Sequence, residues 1–289
     1  MAAALRKILT FGSMLLPYGV HELKRRLKNR HKFSADVASS LAENRPLAGL
    51  HSGQRCFILG NGPSVKGLDL SRLQGEAVIT VSNGYLHSDF DKFQSRYHCV
   101  PQITYGLMTP EDVVRWFDEM HSHLGGGAEL FLSSTEAELV RKHNLFSGRA
   151  VRYLVLAESF DERTSVEIVD ISKPVPRVDS VPVMALMIAM YLGFKEIILL
   201  GVDHDRFLSS PYQYAFELKV QKGKDITVNA DGTPRRNRHD DFQQAARLWR
   251  QYRAIANIAR ANDIRIVNST PGGALDEFER RPFQAWFEE

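Results

Sequence analysis

Short apolar runs that alternate with amphipathic helical patterns constrain this chain more than any other feature of its sequence. The runs are Arg55–Gly60, Ala77–Asn83, His98–Tyr105, Ala128–Ser133, Ala150–Leu156, Glu196–Asp203 and Ile264–Ser269. Helical spacing recurs between several of them, at Pro110–His123, Pro182–Leu192 and Asp241–Ala261. In the last of these, Phe242, Ala245, Trp249, Tyr252, Ala256 and Ala259 fall on one predicted face. Strands this apolar are buried on both sides. The pattern therefore predicts an α/β fold, a Rossmann-like and mostly parallel sheet with helices on both faces.

At 289 residues the chain has room for one large domain of this kind or two small ones. Its apolar and charged fractions, 44% and 25%, are those of an ordinary globular protein. Cys56 and Cys99 lie in strand-like runs without metal-ligand spacing. They read as buried, reduced thiols, which points to a cytoplasmic protein without a disulfide framework.

The net charge of +3 conceals an asymmetry. Residues 1–32 hold eight basic side chains against the single acid Glu22, a net of +7, so the rest of the chain carries −4. A body of that sign is a poor partner for nucleic acid. We assign residues 1–47 to a basic amphipathic arm and 48–289 to the folded domain. The apolar run Leu9–Leu16 is too short to span a bilayer, and no small-residue cleavage site follows it. Two readings of the arm stay open. In one it lies on the inner face of an anionic membrane, each Lys or Arg contributing about 1 kcal/mol. In the other it is a pair of helices with a solvated basic face.

The stretch FILGNGPSVKG, residues 57–67, runs a strand into a Gly-rich turn. In open parallel sheets ligands sit outside the carboxyl ends of the strands, which puts Gly60, Asn61, Gly62, Pro63 and Ser64 on the predicted binding edge. The turn lacks the third glycine of a dinucleotide fingerprint, and the next strand ends in Ser82 and Asn83 with no acid for a ribose. No Gly-Lys-Ser/Thr follows, so it is not a Walker loop either. A tight turn without a ligand remains the plainer reading. The segment from Asp205 to Arg238 is polar and aperiodic, contains Gly223 and Gly232, and predicts a lid over this edge.

GNGPS, the strand end VSNGY, the segment RVDSVPVMALMIAMYLGFKEIILLGVD and the tail RHDDF…IRIVNSTPGGALDEF occur in that order. Together they resemble the bacterial sialyltransferases of glycosyltransferase family 42, and equally a broader group that includes 6-hydroxymethylpterin pyrophosphokinase-like proteins. The resemblance covers about residues 54–280. It implies a GT-A-like single-domain variant with a lid, acting in bacterial surface polysaccharide or glycolipid synthesis. Residues 60–64 and Asn83 would contact the phosphate and sugar of a CMP-linked donor. Arg177 and Ser180 match a conformational anchor and a nucleotide contact. His239 falls where the family places its general base, and Tyr214 matches one of two tyrosines on the leaving phosphate. The second tyrosine is replaced by Asp205, a departure that bears on sialic acid as the donor sugar.

The residues themselves support part of this chemistry. His239, in RNRHDDF, stands at a predicted helix start, where the dipole favours a neutral imidazole able to accept a proton, while Asp240 and Asp241 act in the opposite direction. A neutral His near pH 7 suits deprotonation of an attacking sugar hydroxyl in an inverting transfer. Tyr214, Ser64 and the N–H groups of residues 61–64 would meet the charge on departing CMP without a metal cofactor. Thr270 and Gly272, after the last strand, are further base or ribose contacts. Arg177 pairs either with a donor carboxylate or with Asp179. The expected partners are a nucleotide sugar, a glycan or lipid-linked acceptor and an anionic membrane, with homo-oligomerisation left open. Under the pyrophosphokinase alternative, Asp203 and Asp205 form an Asp-x-Asp pair for Mg²⁺ or Mn²⁺. A non-catalytic nucleotide-binding protein at the membrane surface is the third class.

Overall fold

The computed structural model describes residues 35–103, 108–160, 166–205, 207, 215 and 237–288. The basic stretch 1–32 and most of the expected lid lie outside the described residues. The chain divides into two units, Met1–Ser40 and Leu41–Glu289. Of the first, the described residues 35–40 belong to helix α1, Ala35–Ala42. The second unit holds the sheet.

Eight strands form that sheet: β1 (Arg55–Leu59), β2 (Val78–Val81), β3 (Tyr97–Cys99), β4 (Glu129–Ser133), β5 (Val151–Leu154), β8 (Glu196–Leu200), β9 (Arg265–Asn268) and β10 (Glu279–Arg280). Their order is β10-β9-β8-β1-β2-β3-β4-β5, and every described pairing is parallel. A separate parallel pair joins β6 (Leu156–Ser159) to β7 (Val175–Arg177). The chain leaves β1 toward β2 and β5, then returns to the other side of β1 at β8. The sheet therefore has its topological switch point between β1 and β8, where open α/β sheets bind ligands.

Alternate side chains of the strands feed two cores. Cys56, Ile58, Ile79, Phe131, Ile197 and Leu199 face α5 (Val181–Leu192) and α6 (Arg238–Ala261). Phe57, Leu59, Val78, Leu130, Leu132, Ile198 and Leu200 face α2 (Phe90–Phe93), α3 (Pro110–His123), α4 (Ala137–Lys142) and the C-terminal Phe283 and Trp286. Three layers result, as the uninterrupted apolar strands require. Both cysteines are free and buried, and burial pushes their thiols up.

Local signals set the helix ends. Thr109 and Asp112 form a capping box at α3, with Pro110 in the first turn. Gly193, at φ +95°, closes α5 in the left-handed conformation. Asn237 accepts the Asp240 N–H at 3.0 Å and starts α6 three residues before its predicted beginning. Two expectations need correction. The His98–Tyr105 run ends as a strand at Cys99, and Ala150–Leu156 splits into the ends of two sheets. The predicted apolar face of α6 also stops short: Tyr252, Ala256 and Ala259 are buried, but Phe242 is 56% exposed. At 24 residues α6 is about 36 Å long, far longer than the strands beneath it, so its first turns extend past the carboxyl edge of the sheet.

Candidate functional site

The carboxyl ends of β1, β8 and β9 knit together at the switch point. Gly60 N–H donates to Leu200 O at 2.7 Å and Gly62 N–H to Gly201 O at 2.8 Å. A Cβ on Gly60 would lie 2.4 Å from Gly201 O, and one on Gly62 only 1.7 Å from Asp203 Oδ2. The close approach of the neighbouring loop, Gly201-Val202-Asp203, requires glycine at both positions. Gly273, at φ +72°, closes the other side: its Cβ position is 2.8 Å from Asp203 Cα and O.

Asp203 is the centre of this contact. It is buried, and its carboxylate accepts the Ser64 N–H (3.2 Å) and the Ser64 hydroxyl (2.8 Å). Burial pushes its carboxyl above the usual range; Ser64 opposes that rise and the charge of Asp205 adds to it. Three donors that the sequence offered to a phosphate, the N–H groups of Gly62 and Ser64 and the Ser64 hydroxyl, are therefore engaged within the protein. Ser64 holds Asp203, Gly62 holds Gly201 O, and Pro63 has no N–H.

One member of the turn is left over. The Asn61 side-chain oxygen is buried without a hydrogen-bond partner among the described residues, 3.7 Å from where a Cβ on Gly84 would stand. Asn61 thus faces the end of β2, where Asn83 is buried and accepts Trp116 Nε1–H at 2.8 Å. A buried acceptor without a partner costs about 1–3 kcal/mol. Tyr214 lies outside the described residues; its neighbour Ala215 donates its N–H to Asn61 O at 2.9 Å.

Beyond Asp203, the side chain of His204 turns under α6. Its Nε2 is 2.6 Å from the hydroxyl of Tyr252, a fully buried side chain, and its ring meets Trp249. Burial pushes the imidazole down to about 4, so it is neutral at pH 7. Burial pushes the Tyr252 phenol well up, and Ser180, the N-cap of α5, opposes that rise. Thr270 is tied to the strand end that carries Asp203: its buried hydroxyl accepts the Val202 N–H at 3.0 Å.

Other predicted residues lie apart. Gly272 is exposed at φ +70°. Arg177 is exposed at the end of β7, and Asp179 pairs with Arg247 at 3.6 Å and with Gln251 instead, which corrects the proposed Arg177–Asp179 ion pair. His239 is exposed in the first turn of α6, thirteen residues and about 20 Å along the axis from Tyr252. Both carboxylate oxygens of Asp203 accept hydrogen bonds from Ser64. No group of three or more His, Cys, Asp or Glu is arranged for a metal among the described residues.

The sequence alone does not single out His204, Tyr252 or Trp116. His204 and Tyr252 belong to elements that read as strand end and helix face, and only the fold puts them in contact. The signal available for Asp203 was the pairing of GNGPS with GVD, two turns rich in glycine.

No family model matches the chain, and no curated protein does. Among solved structures it is similar to "Structure of MAf glycosyltransferase from Magnetospirillum magneticum AMB-1", at 15% identity and a TM-score of 0.45 over 86% of this chain. The chain spans 39% of that protein's length. A likeness at that level says nothing of activity.

Proposed function

We propose that this chain is a glycosyltransferase whose nucleotide-linked donor binds at the switch point between β1 and β8. The observation that carries the reading is the buried side-chain oxygen of Asn61 at the carboxyl edge of the sheet, which has no partner among the described residues. It asks for an N–H or O–H donor from outside the protein, which the amino group of a base or a sugar hydroxyl supplies. The resemblance to sialyltransferases refines the proposal to a CMP-linked acidic sugar and a glycan hydroxyl as acceptor. His239 is the proposed general base and Tyr214 a donor to the leaving phosphate. As general base it would meet the acceptor hydroxyl rather than the nucleotide. The basic arm is proposed to hold the enzyme on anionic membrane, and a chain lacking residues 1–32 that still binds phosphatidylglycerol vesicles at low salt would refute that part.

The test is release of free nucleotide from CMP-, UDP- and GDP-linked sugars, each with and without Mg²⁺. The expected result is release from a CMP-linked donor by the wild type and its loss in a folded Asn61→Ala variant. Release from none of these donors counts against the reading.

A further inference from the structure

Four rings form a row that leads away from the end of β8. His204 meets Trp249 with 6.4 Å between ring centroids, Trp249 meets Phe207 at 6.2 Å, and Phe207 meets Phe242 at 6.2 Å. The row starts beside Asp203, whose carboxylate Ser64 holds, and ends in the second turn of α6. Trp249 and Phe207 are half-buried, whereas Phe242 is 56% exposed. We propose that the exposed end of this row, Phe242 with Phe207 behind it, holds the acceptor by stacking on the face of an uncharged sugar ring. The inference rests on the functional reading above and adds an acceptor subsite to it.

A lone exposed phenylalanine needs no explanation, but this one ends a row of packed rings that begins at the proposed donor site. Its helix leaves it open. On a helix surface the neighbours of a side chain lie three and four positions away. For Phe242 these are Arg238 and His239 on one side and Ala245 and Ala246 on the other. Two methyl groups are too small to cover a phenyl ring.

The surroundings of the ring select its occupant. The face of an aromatic ring carries partial negative charge and attracts C–H groups. A sugar ring offers such groups on one face and hydroxyls around its rim, which Arg238 and His239 can meet beside Phe242. A lipid chain would need apolar neighbours where these two polar side chains stand. An anionic surface would need an excess of base, but the first turn sets Asp240 and Asp241 against Arg238. His239, the proposed general base, is three positions from Phe242, so a sugar stacked on the phenyl ring brings its hydroxyls toward that base.

The experiment applies the full chain, as wild type, Phe242→Ala and Phe242→Trp, to an array of uncharged and acidic glycans. The wild type is expected to bind at least one uncharged glycan, Phe242→Ala to bind it about tenfold more weakly, and Phe242→Trp to keep its affinity within about threefold. Nucleotide affinity by calorimetry should be the same in all three proteins. Addition of that glycan to the wild type should also shift the ¹⁵N-indole signal of Trp249, which a phenylalanine with a merely structural role would not cause. Binding of no uncharged glycan, binding confined to acidic glycans, or equal affinity in a folded Phe242→Ala overturns the inference and leaves the functional reading standing. So does a wild-type dimer that Phe242→Ala dissociates, since a second copy would then cover the ring. Failure of the wild type to bind any nucleotide overturns the functional reading, and with it the role of the sugar as acceptor.

Discussion

Ser64 holds the Asp203 carboxylate through two hydrogen bonds, from its amide at 3.2 Å and from its hydroxyl at 2.8 Å, across the switch point of the sheet. The contact joins the turn after β1 to the turn after β8, and both residues come from motifs that suggest ligand binding in the sequence. Removing the hydroxyl leaves a buried carboxylate with one donor fewer. Ser64→Ala should therefore lower stability by about 1.5–3 kcal/mol in denaturant unfolding. A loss under about 0.5 kcal/mol, the low end for a single hydrogen bond, would mean that the hydroxyl is dispensable to the clamp.

Gly62 is coupled to the same carboxylate. Its missing Cβ would stand 1.7 Å from Asp203 Oδ2, so Gly62→Ala should destabilise the fold by about 1–3 kcal/mol even without a ligand. Combining it with Asp203→Ala should recover part of that cost, because the clash with the carboxylate disappears while the contact with Gly201 O, at 2.7 Å, remains. Strict additivity of the two single effects would show that the close approach is not what demands glycine.

His98 supplies a pH dependence. It is buried in β3 beside Thr80, and burial pushes its imidazole down to about 3, with Arg149 adding to the fall and the backbone of Ser82 opposing it. The folded-state value lies below the unfolded value of about 6.5, so as pH falls the unfolded chain takes up the proton first. Stability from this site is complete above about pH 6.5 and declines as pH drops toward 3, by about 1.4 kcal/mol per unit. Between pH 7 and 5 the site should cost the fold about 2 kcal/mol. The decline should be shallower in His98→Gln, and an identical pH slope in the two proteins would exclude His98 as its source.

His239 is tested by kinetics. General-base catalysis is typically worth about 10²–10⁴-fold, so His239→Ala should reduce turnover by that factor and leave donor affinity unchanged. The acidic limb of the rate–pH profile should also vanish. Wild-type turnover in the variant, or a loss confined to donor binding, would remove the residue from the mechanism.

The layers of the fold are written plainly in the sequence because strands such as FIL and IILL have no polar face and must be covered on both sides. The starts of α3 and α5 are equally plain, since Thr109, Pro110 and Pro182 mark them. The length of the α6 face is not. Phe242 continues the helical spacing of Tyr252 and Ala256, but spacing does not reveal where the sheet beneath the helix ends. Gly60 and Gly62 are conspicuous for a related reason: glycine reports a close approach without naming what approaches. Here it is the Gly201–Asp203 loop, far away in the chain, and only the parallel pairing of β1 with β8 brings it there.

The central claim is that a nucleotide binds at the switch point through Asn61, and calorimetry on the wild type and Asn61→Ala tests it directly. The predicted result is binding of CMP or another nucleotide by the wild type, with about tenfold weaker binding by a variant of unchanged or greater stability, since the substitution also removes an unpaired buried acceptor. Equal affinity in the two proteins, or no binding of CMP, UDP or ATP by the wild type with or without Mg²⁺, would contradict it.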